Sequence, residues 1–313
     1  MHRLMHKTIM VTGATGFIGA HLCDSLRGAG TRLIGTGRQA AAARADRADV
    51  RQLDLTDPAA VSGFIRETRP DAVVHLAADK SRTAGFGGFR ASYRANFLAT
   101  LNLVEACLEA GGLSRFLFMG SCEEYGDIDA PFEETSREAP VSAYGVSKLA
   151  ATRMIEAVAR TRGFPAVILR PSVVYGSGQG EEMFLPALLS ALLAGRRFAM
   201  TAGEQTRDYV YVDDVVAAIV LALDLPVTPG VILNVSSGVP VRIRDLAVLA
   251  ADAVGHGAQD LLQIGGAAYR EGEPMEHWAS NDRAAKVLGW TPRTTLAEGL
   301  RHTLHGLRRA PAR

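Results

Sequence analysis

The sequence predicts an α/β fold in which helices cover both faces of a parallel sheet. Short apolar runs rich in β-branched residues recur along the chain, and helix-sized segments separate them. A glycine-rich turn follows the first of these runs and leads into a helical segment. At 313 residues the chain is too long for one small core. We therefore expect a doubly wound parallel sheet with a smaller C-terminal lobe.

The predicted strands alternate with helical segments through the first half of the chain. The first strand covers residues 7–11, which are mostly apolar and β-branched, and a helix follows over residues 20–26. Further strands are expected over residues 32–34, 72–76, 116–119 and 166–169. Doubly wound sheets bind their ligands outside the carboxyl ends of the strands. The functional residues should therefore lie where these strands end.

Three glycines at three-residue spacing, Gly13, Gly16 and Gly19, connect the first strand to the first helix. Gly13 permits a tight turn, Gly16 lets the backbone approach a pyrophosphate, and Gly19 allows close packing of helix and strand. Free amides at the helix N-terminus attract phosphates. This pattern is typical of a Rossmann-type dinucleotide site, although glycine turns also occur for packing alone. The contacts expected from this turn are Gly13, Thr15, Gly16, Phe17, Ile18 and Gly19.

Tyr144 and Lys148 are four positions apart, which places them one turn apart on one face of a helix. A lysine so close favours the phenolate and should lower the pKa of Tyr144 from its reference value near 10. A general acid or base needs such tuning. A surface Tyr and Lys on an amphipathic helix would show the same spacing, so the pair needs support from a second motif.

That motif is the polar turn after residues 116–119, in which Ser121 lies four residues before Tyr125. Together with the glycine spacing and the Tyr144 pair, the turn resembles the extended branch of the short-chain dehydrogenase/reductases, which modifies nucleotide-diphosphate sugars. The resemblance implies that Ser121, Tyr144 and Lys148 form a catalytic triad. It extends over nearly the whole chain through similar stretches at residues 170–176, 207–214 and 288–292.

The second predicted strand ends at Gly37 and Arg38, where a carboxylate would bind the ribose hydroxyls of NAD. An arginine there accommodates a 2′-phosphate, so NADP(H) is preferred and NAD(H) stays open. A solvated loop arginine is the alternative interpretation of Arg38. The resemblance implies further cofactor contacts at Asp54, Leu55, Ala77, Ala78, Tyr144, Lys148 and Pro171. Simple turn chemistry would explain the first four of these equally well.

For the substrate, the resemblance points to Arg207 and Arg270 as the residues that bind a nucleotide diphosphate. Two guanidiniums can neutralise a diphosphate through forked hydrogen bonds. Phe198 would flank the base, although an aromatic residue there suits a core equally well. The family often carries Asn two residues before the Tyr-Gly of residues 170–176, where this chain has Val173. This departure puts the usual amide contact to the substrate in doubt.

The residues after Ser121 bear on the reaction. Some sugar dehydratases of the family place Asp-Glu there, whereas this chain has Cys122 and Glu123. A thiol donates a proton less well than a tuned carboxylic acid, but GDP-mannose dehydratases carry Ser at the first position, so dehydration stays open. The turn and the end of the second strand look most like GDP-4-keto-6-deoxymannose reductases and related 4-ketoreductases. Substrate contacts are expected at Ser121, Cys122, Glu123, Tyr144, Phe198, Arg207 and Arg270.

The expected reaction is the NADPH-dependent reduction of a 4-keto-6-deoxy nucleotide sugar at carbon 4. Tyr144 would protonate the alkoxide, Ser121 would hold the same oxygen, and Lys148 would tune the tyrosine and contact the nicotinamide ribose. Glu123 would orient the sugar or act as a base. The alternatives are a 4-epimerase or 4,6-dehydratase that retains its NAD(P), and a non-catalytic NADP-sensing protein. The sequence leaves the sugar, the nucleotide base and the stereochemical outcome open.

The domain organisation follows from a change of pattern after Tyr175, where a Gly-rich loop precedes a helical segment over residues 184–193. We expect an NAD(P)-binding domain over residues 1–172 and a nucleotide-sugar-binding lobe over residues 173–313, interleaved with the first domain around residues 208–225. The resemblance also implies a homodimer. Helical segments over residues 97–110 and 149–159 could pair in it, or could simply cover the sheet.

Composition limits the partners and the location. The 34 basic and 33 acidic residues leave no overall field that would attract nucleic acid or a membrane surface. Cys23, Cys107 and Cys122 lack the spacing of a disulfide framework or a metal site, which favours a reducing compartment. The first strand begins too early for a signal peptide to precede it, and no apolar run approaches the ~20 residues of a membrane span. The sequence predicts a cytoplasmic protein.

Overall fold

The structure, a computed structural model, describes residues 4–27, 30–38, 49–80, 85–270 and 272–309. Its strands are β1 (Thr8–Thr12), β2 (Arg32–Gly37), β3 (Asp49–Gln52), β4 (Ala72–His75), β5 (Arg115–Met119), β6 (Ala166–Pro171), β7 (Val173–Tyr175), β8 (Phe198–Met200), β9 (Thr206–Tyr211), β10 (Val231–Val235), β11 (Pro240–Arg242), β12 (Leu262–Ile264) and β13 (Glu276–His277). Its helices are α1 (Phe17–Leu26), α2 (Pro58–Thr68), α3 (Gly85–Ser92), α4 (Ala99–Ala110), α5 (Ala143–Arg162), α6 (Phe184–Leu193), α7 (Val212–Asp224), α8 (Ile243–Val254), α9 (Asp282–Leu288) and α10 (Leu296–Arg309). A π-helical turn, Tyr93–Leu98, immediately precedes α4.

The main sheet is parallel throughout. Within the described residues it contains seven strands in the order β10-β6-β5-β4-β1-β2-β3, and each neighbouring pair is parallel. The chain first adds β2 and β3 on one side of β1, and then adds β4, β5, β6 and β10 on the other side. The predicted doubly wound, Rossmann-type sheet is confirmed. Its topological switch point lies between β1 and β4, where such sheets bind their ligands.

Helices cover both faces of this sheet because successive residues of a strand point to opposite faces. In β1, Ile9 and Val11 belong to a core with α1 and α7, whereas Met10 belongs to a core with α2, α4 and α5. In β5, Leu117 joins the first core and Phe116 joins the second. Burial on both faces explains why the central strands are continuous apolar runs.

The smaller lobe has a core of its own, formed with α6, α8 and α10. Tyr175 of β7 and Tyr209 and Tyr211 of β9 lie in that core. Strand β9 pairs with β7, β11 and β13. Helix α7 packs against α1, and β10 pairs with β6, so the chain returns to the first sheet after entering the lobe. The domain boundaries at residues 172 and 208–225 stay a prediction.

Two strands of the main sheet, β3 and β10, were not predicted from the sequence. Strand β3 lies at the edge of the sheet and is polar and largely exposed, so it lacks the apolar run of a buried strand. Strand β10 is apolar, but it pairs with a strand more than sixty residues earlier, as Val231 opposite Val167 shows. Local patterns carry no information about such a pairing.

The described residues show neither a membrane-spanning helix nor a metal-ligand cluster. Along the parts of the chain that the structure describes, no helix is long and apolar enough to cross a bilayer. The same described residues contain no group of three or more His, Cys, Asp or Glu side chains arranged to hold a metal ion.

Candidate active site

The glycine turn lies between β1 and α1, at the carboxyl edge of the sheet. Gly13 adopts a φ of +68°, and a Cβ atom at this residue would lie 2.9 Å from the backbone nitrogen of Ala77. A Cβ atom on Gly19 would overlap the carbonyl oxygen of Gly13. Gly16 is the N-cap residue of α1 and supplies no side-chain cap. The first amides of the helix can therefore bind phosphate oxygens, and the turn fits the pyrophosphate of a dinucleotide.

The other predicted cofactor contacts follow neighbouring strands of the sheet. Arg38 comes directly after β2 and is exposed. The Asp54 carboxylate accepts hydrogen bonds from the N–H and the hydroxyl of Thr56 at 2.9 and 2.8 Å, which is the turn chemistry that the sequence left as an alternative. Ala77 donates its N–H to Thr12 at 3.2 Å. Thr15 and Ala78 are exposed, Phe17, Ile18 and Ala77 are partly buried, and Leu55 and Pro171 are buried.

Ser121, Tyr144 and Lys148 meet beside the end of β5. Ser121 follows that strand, and the other two residues lie in the first two turns of α5, whose N-terminus is capped by Ser142 through a 2.9 Å bond from the Gly145 N–H. The Ser121 hydroxyl lies close enough to the Tyr144 phenol to oppose the rise in the pKa of Tyr144. The Lys148 Nζ atom lies 4.3 Å from the centroid of the Phe118 ring. The structure therefore brings the three residues together, and their catalytic roles stay predictions.

The pKa of Tyr144 is shifted in the direction opposite to the one expected. Burial, with the carboxylates of Glu123 and Glu124, raises the pKa of Tyr144, against the opposing hydrogen bond from Ser121. The expected lowering of this pKa is wrong for this structure, because burial of the phenol and the two nearby carboxylates raise it. Burial and the nearby Lys80 lower the pKa of Lys148 to about 7, although Glu124 opposes them. Tyr144 therefore keeps its proton and can act as a proton donor.

A buried histidine links the glycine turn to α5. Thr12 donates a hydrogen bond to His75 Nδ1 at 2.7 Å, and His75 Nε2 donates to the Thr100 hydroxyl at 2.9 Å. The Thr100 hydroxyl donates to the Asn96 carbonyl at 2.5 Å, and Asn96 Nδ2 donates to Ser147 of α5 at 2.9 Å. Burial lowers the pKa of His75 to about 3, so the ring is neutral. This chain of hydrogen bonds connects β1, β4 and α5 at the proposed cofactor site.

Cys122 and Glu123 have different surroundings. The Glu123 carboxylate accepts the Ser142 hydroxyl at 2.9 Å, and its charge acts on Tyr144. Cys122 is 1% exposed, and its thiol donates to the Arg170 carbonyl at 3.4 Å. Burial raises the pKa of this thiol well above its ordinary value. The thiol is therefore unsuited to donate a proton to a sugar, and any substrate contact of Cys122 has to come from its backbone.

The predicted substrate residues lie in the smaller lobe. Arg207 of β9 forms an ion pair with Glu273, which would have to release the guanidinium to a diphosphate. Arg270 is exposed in the loop before β13. The Phe198 ring packs edge-on against Phe184, with 5.7 Å between the centroids. Both residues are partly buried and pack against the lobe core. Val173, which replaces the usual Asn, begins β7 and is partly buried.

Sequence reasoning missed a buried network of charges behind Ser121. Arg170 and Glu124 are both 0% exposed and form a 2.7 Å ion pair, and Glu138 pairs with Arg170 at 2.8 Å. Arg153 of α5 also pairs with Glu138. One signal could have found the network: Arg170 lies near the end of the otherwise apolar strand β6, and a buried guanidinium needs carboxylate partners.

Comparison with known proteins places this chain in a protein family. Residues 9–236 match the NAD dependent epimerase/dehydratase family. A UDP-glucose 4-epimerase from Mycolicibacterium smegmatis is 33% identical over 96% of this chain and 98% of its own length. A GDP-6-deoxy-D-mannose reductase from Pseudomonas aeruginosa is 30% identical over 96% of this chain and 97% of its own length. The crystal structure of Thermus thermophilus UDP-glucose 4-epimerase in complex with NAD has a TM-score of 0.87 and 28% identity, covering 97% of this chain and 99% of that one.

The glycine turn and the group of Ser121, Tyr144 and Lys148 have the arrangement expected of an NAD(P)-dependent oxidoreductase. The comparisons assign the chain to that class of enzyme. The family match spans most of the chain, so the chain belongs to the NAD dependent epimerase/dehydratase family. The resemblance to the extended short-chain dehydrogenase/reductases is thereby confirmed.

Proposed function

We propose that this enzyme transfers hydride at carbon 4 of a nucleotide-diphosphate sugar, and that its net reaction is NADPH-dependent reduction of a 4-keto-6-deoxy sugar. The observation that carries the proposal is the position of the Tyr144 phenol beside the Ser121 hydroxyl, in surroundings that raise the pKa of Tyr144 and so favour its protonated form. Reduction of a ketone creates an alkoxide that must gain a proton. A phenol that holds its proton is the form that this reaction needs.

Each side chain near the reacting oxygen has a separate role in the proposed reaction. The Ser121 hydroxyl donates a hydrogen bond to the ketone oxygen, and Tyr144 protonates that oxygen as negative charge develops. NADPH supplies the hydride when it is bound. Lys148, one turn from Tyr144 on α5, is placed to replace the transferred proton. Glu123 is anchored by Ser142 at 2.9 Å and would orient the sugar ring.

The substrate class rests on the two arginines of the lobe and on the relatives. Arg207 and Arg270 supply guanidiniums for a diphosphate. Arg207 lies in β9, and Arg270 lies before β13, which pairs with β9. The relatives named above are a UDP-glucose epimerase and a GDP-6-deoxy-D-mannose reductase, so both act on nucleotide-diphosphate sugars. We therefore propose a nucleotide-diphosphate sugar as substrate, and Phe198, which is partly buried against the lobe core, stays the candidate to flank the base.

A 4-epimerase that retains its cofactor is the second candidate. The relative at 33% identity and the solved neighbour with NAD are both UDP-glucose 4-epimerases. The same Ser121, Tyr144 and Lys148 set could remove a hydride and return it to the other face of the sugar. A 4,6-dehydratase is less well supported, because Cys122, at the position of the dehydratase acid, is buried and its pKa is raised.

Cofactor consumption separates the two candidates. A reductase releases oxidised cofactor in each cycle, so the absorbance of NADPH should fall in proportion to product when the protein is given a panel of 4-keto-6-deoxy nucleotide sugars. An epimerase returns the hydride and shows no net change, which UDP-glucose as substrate would reveal. Product formed without an equivalent loss of NADPH would replace the reductase proposal with the epimerase.

Arg38 should set cofactor preference, because its exposed guanidinium follows β2 where no acid is present. We expect the wild type to bind NADP(H) more tightly than NAD(H), and Arg38→Ala to lose about 1.5–3 kcal/mol of NADP(H) binding, the contribution of a charge-assisted hydrogen bond. Affinity for NAD(H) should stay unchanged. Fluorescence titration with both reduced cofactors measures this.

The matched control for that titration is Arg32→Ala, which removes an exposed arginine from the opposite end of β2. It should leave both affinities at their wild-type values. Equal affinity of the wild type for the two cofactors would remove the NADP assignment and leave the arginine as a solvated loop residue.

The homodimer and the cytoplasmic location stay predictions. The apolar side chains of Phe89, Tyr93 and Val146 are exposed next to one another on the surface formed by α3, the π-helical turn and α5. Exposed apolar clusters of this kind are typical of contact surfaces. We propose that this surface contributes to the pairing of two copies.

A further inference from the structure

A buried carboxylate, that of Glu124, lies directly behind the active-site turn. Its Oε1 atom accepts the backbone N–H of Ser121 at 2.9 Å. The Ser121 hydroxyl oxygen accepts the N–H of Glu123 at 3.1 Å. The first bond fixes the backbone of Ser121 and the second fixes its side chain, which lies beside Tyr144. Glu124 belongs to the turn but does not itself reach the cleft, since its side chain is 0% exposed.

The second carboxylate oxygen of Glu124, Oε2, is held by Arg170. Arg170 donates to Oε2 from Nε at 2.9 Å, and its Nη2 atom forms a 2.7 Å ion pair with the same oxygen. The guanidinium also lies 4.7 Å from the centroid of the Tyr125 ring. Residue 120 has to be glycine here, because a Cβ atom on Gly120 would lie 2.5 Å from Glu124 Oε1. The surroundings therefore hold one carboxylate in one orientation, between a donor from the active-site turn and a donor from β6.

The charge of Glu124 also acts on α5. It raises the pKa of Lys148, against burial and the nearby Lys80, and it raises the pKa of Tyr144 together with burial and Glu123. Both effects favour the protonated forms of the pair. The titratable and charged groups around this position are Arg170, Glu138, Glu123, Cys122, Tyr125, Tyr144, Lys148, Lys80 and the neutral His75.

We propose that Glu124 is a positioning residue that places the Ser121 hydroxyl beside Tyr144 and supplies buried negative charge that favours the ammonium form of Lys148. The expected effect of Glu124 on turnover rests on the proposed function. Arg170 and Glu138 anchor the carboxylate and contribute to folding, and of these three charged residues Glu124 is the one that bonds to Ser121. That difference provides a matched pair of variants.

The informative variant is Glu124→Gln. Both partners of Glu124, the Ser121 N–H and the Arg170 guanidinium, are donors, and a glutamine offers a single acceptor oxygen. The amide can satisfy one of them and must present its NH₂ group to the other. The control variant is Glu138→Gln, which also removes a carboxylate from Arg170 but has no bond to the Ser121 turn.

The electrostatic part can be measured without any substrate. The chain has four lysines, Lys7, Lys80, Lys148 and Lys286, so lysine labelled with ¹³C at Cε gives four NMR signals, and Lys148→Arg identifies one of them. In the wild type this signal should titrate with a pKa of about 7. In Glu124→Gln the midpoint should move to lower pH, whereas Glu138→Gln should leave it in place. An unchanged midpoint in Glu124→Gln would overturn the proposal.

The positional part is read from turnover. We expect Glu124→Gln to lose about a hundredfold in kcat, the effect of a misplacement of about 1 Å, with little change in KM. Glu138→Gln should lose thermal stability but keep kcat. Equal losses of kcat in the two variants would mean that the network is merely structural, which would contradict the proposal.

A further variant covers the case in which Glu124→Gln does not fold. Glu124→Asp keeps the charge beside Arg170 but is too short to reach both donors, so kcat should fall while the midpoint of Lys148 stays near the wild-type value. Wild-type kcat in Glu124→Asp would overturn the positioning role. If the wild type turns over none of the sugars but the Lys148 midpoint still responds to Glu124→Gln, the proposed function fails and the electrostatic inference stands.

Discussion

Replacement of Tyr144 by phenylalanine is expected to remove most turnover, by roughly a hundred- to ten-thousandfold, which is what general acid catalysis contributes. The surroundings raise the pKa of Tyr144, so the wild-type phenol enters the reaction with its proton, and phenylalanine has none to give. The variant also removes the phenol oxygen on which the Ser121 hydroxyl acts. Steady-state kinetics on an identified substrate, with fluorescence titration of NADPH, measure the two effects separately.

Cofactor affinity should be nearly unchanged in this variant, because the ring of Tyr144 keeps its place on α5. The control is Tyr175→Phe, which removes a phenol that donates to the Leu296 carbonyl at 3.4 Å in the core of the smaller lobe. It should keep wild-type turnover. Near-full activity of Tyr144→Phe would eliminate Tyr144 as the acid and leave Glu123 as the leading candidate.

The parts of the fold that could be predicted are those with strong local signals. The glycine turn is one, since its spacing and backbone conformation depend on a few adjacent residues. Helix α6 is another, because its apolar run is long and its bounds, Phe184–Leu193, agree with the predicted residues 184–193. The central strands were found for the same reason, with ends that differ by at most three residues.

The parts that could not be predicted depend on contacts between distant segments. The pKa of Tyr144 was expected to fall because the helix places Lys148 one turn away. Its actual direction is set by burial and by Glu123 and Glu124, which come from another element. The carboxylate partner of Arg170 is likewise 46 residues away in the sequence. Spacing within one helix indicates which groups are near, but the surrounding protein decides their charge.

The glycine turn provides the second prediction, in which Gly19→Ala is expected to damage cofactor binding and stability together. A Cβ atom at this residue would overlap the Gly13 carbonyl and lie 2.9 Å from the Ala14 Cα atom. These are backbone atoms, so the overlap is relieved only by moving the turn. Overpacking of this kind costs about 1–3 kcal/mol. If that energy is taken from the cofactor complex, affinity for NAD(P)H falls by roughly 5- to 150-fold.

The matched control is Gly63→Ala, which adds the same methyl group inside α2, where nothing lies within 4 Å of the added atom. An alanine in a helix interior is favoured over glycine by roughly 0.5–1 kcal/mol, so this variant should unfold at a higher urea concentration than the wild type. Gly19→Ala should unfold at a lower one. Urea denaturation of the wild type, Gly19→Ala and Gly63→Ala measures the effect on stability. NADPH fluorescence titration of the same three proteins measures the effect on cofactor affinity. Wild-type affinity in Gly19→Ala would show that the cofactor does not depend on the close approach of α1 to β1, and the pyrophosphate site would then have to be sought away from this turn.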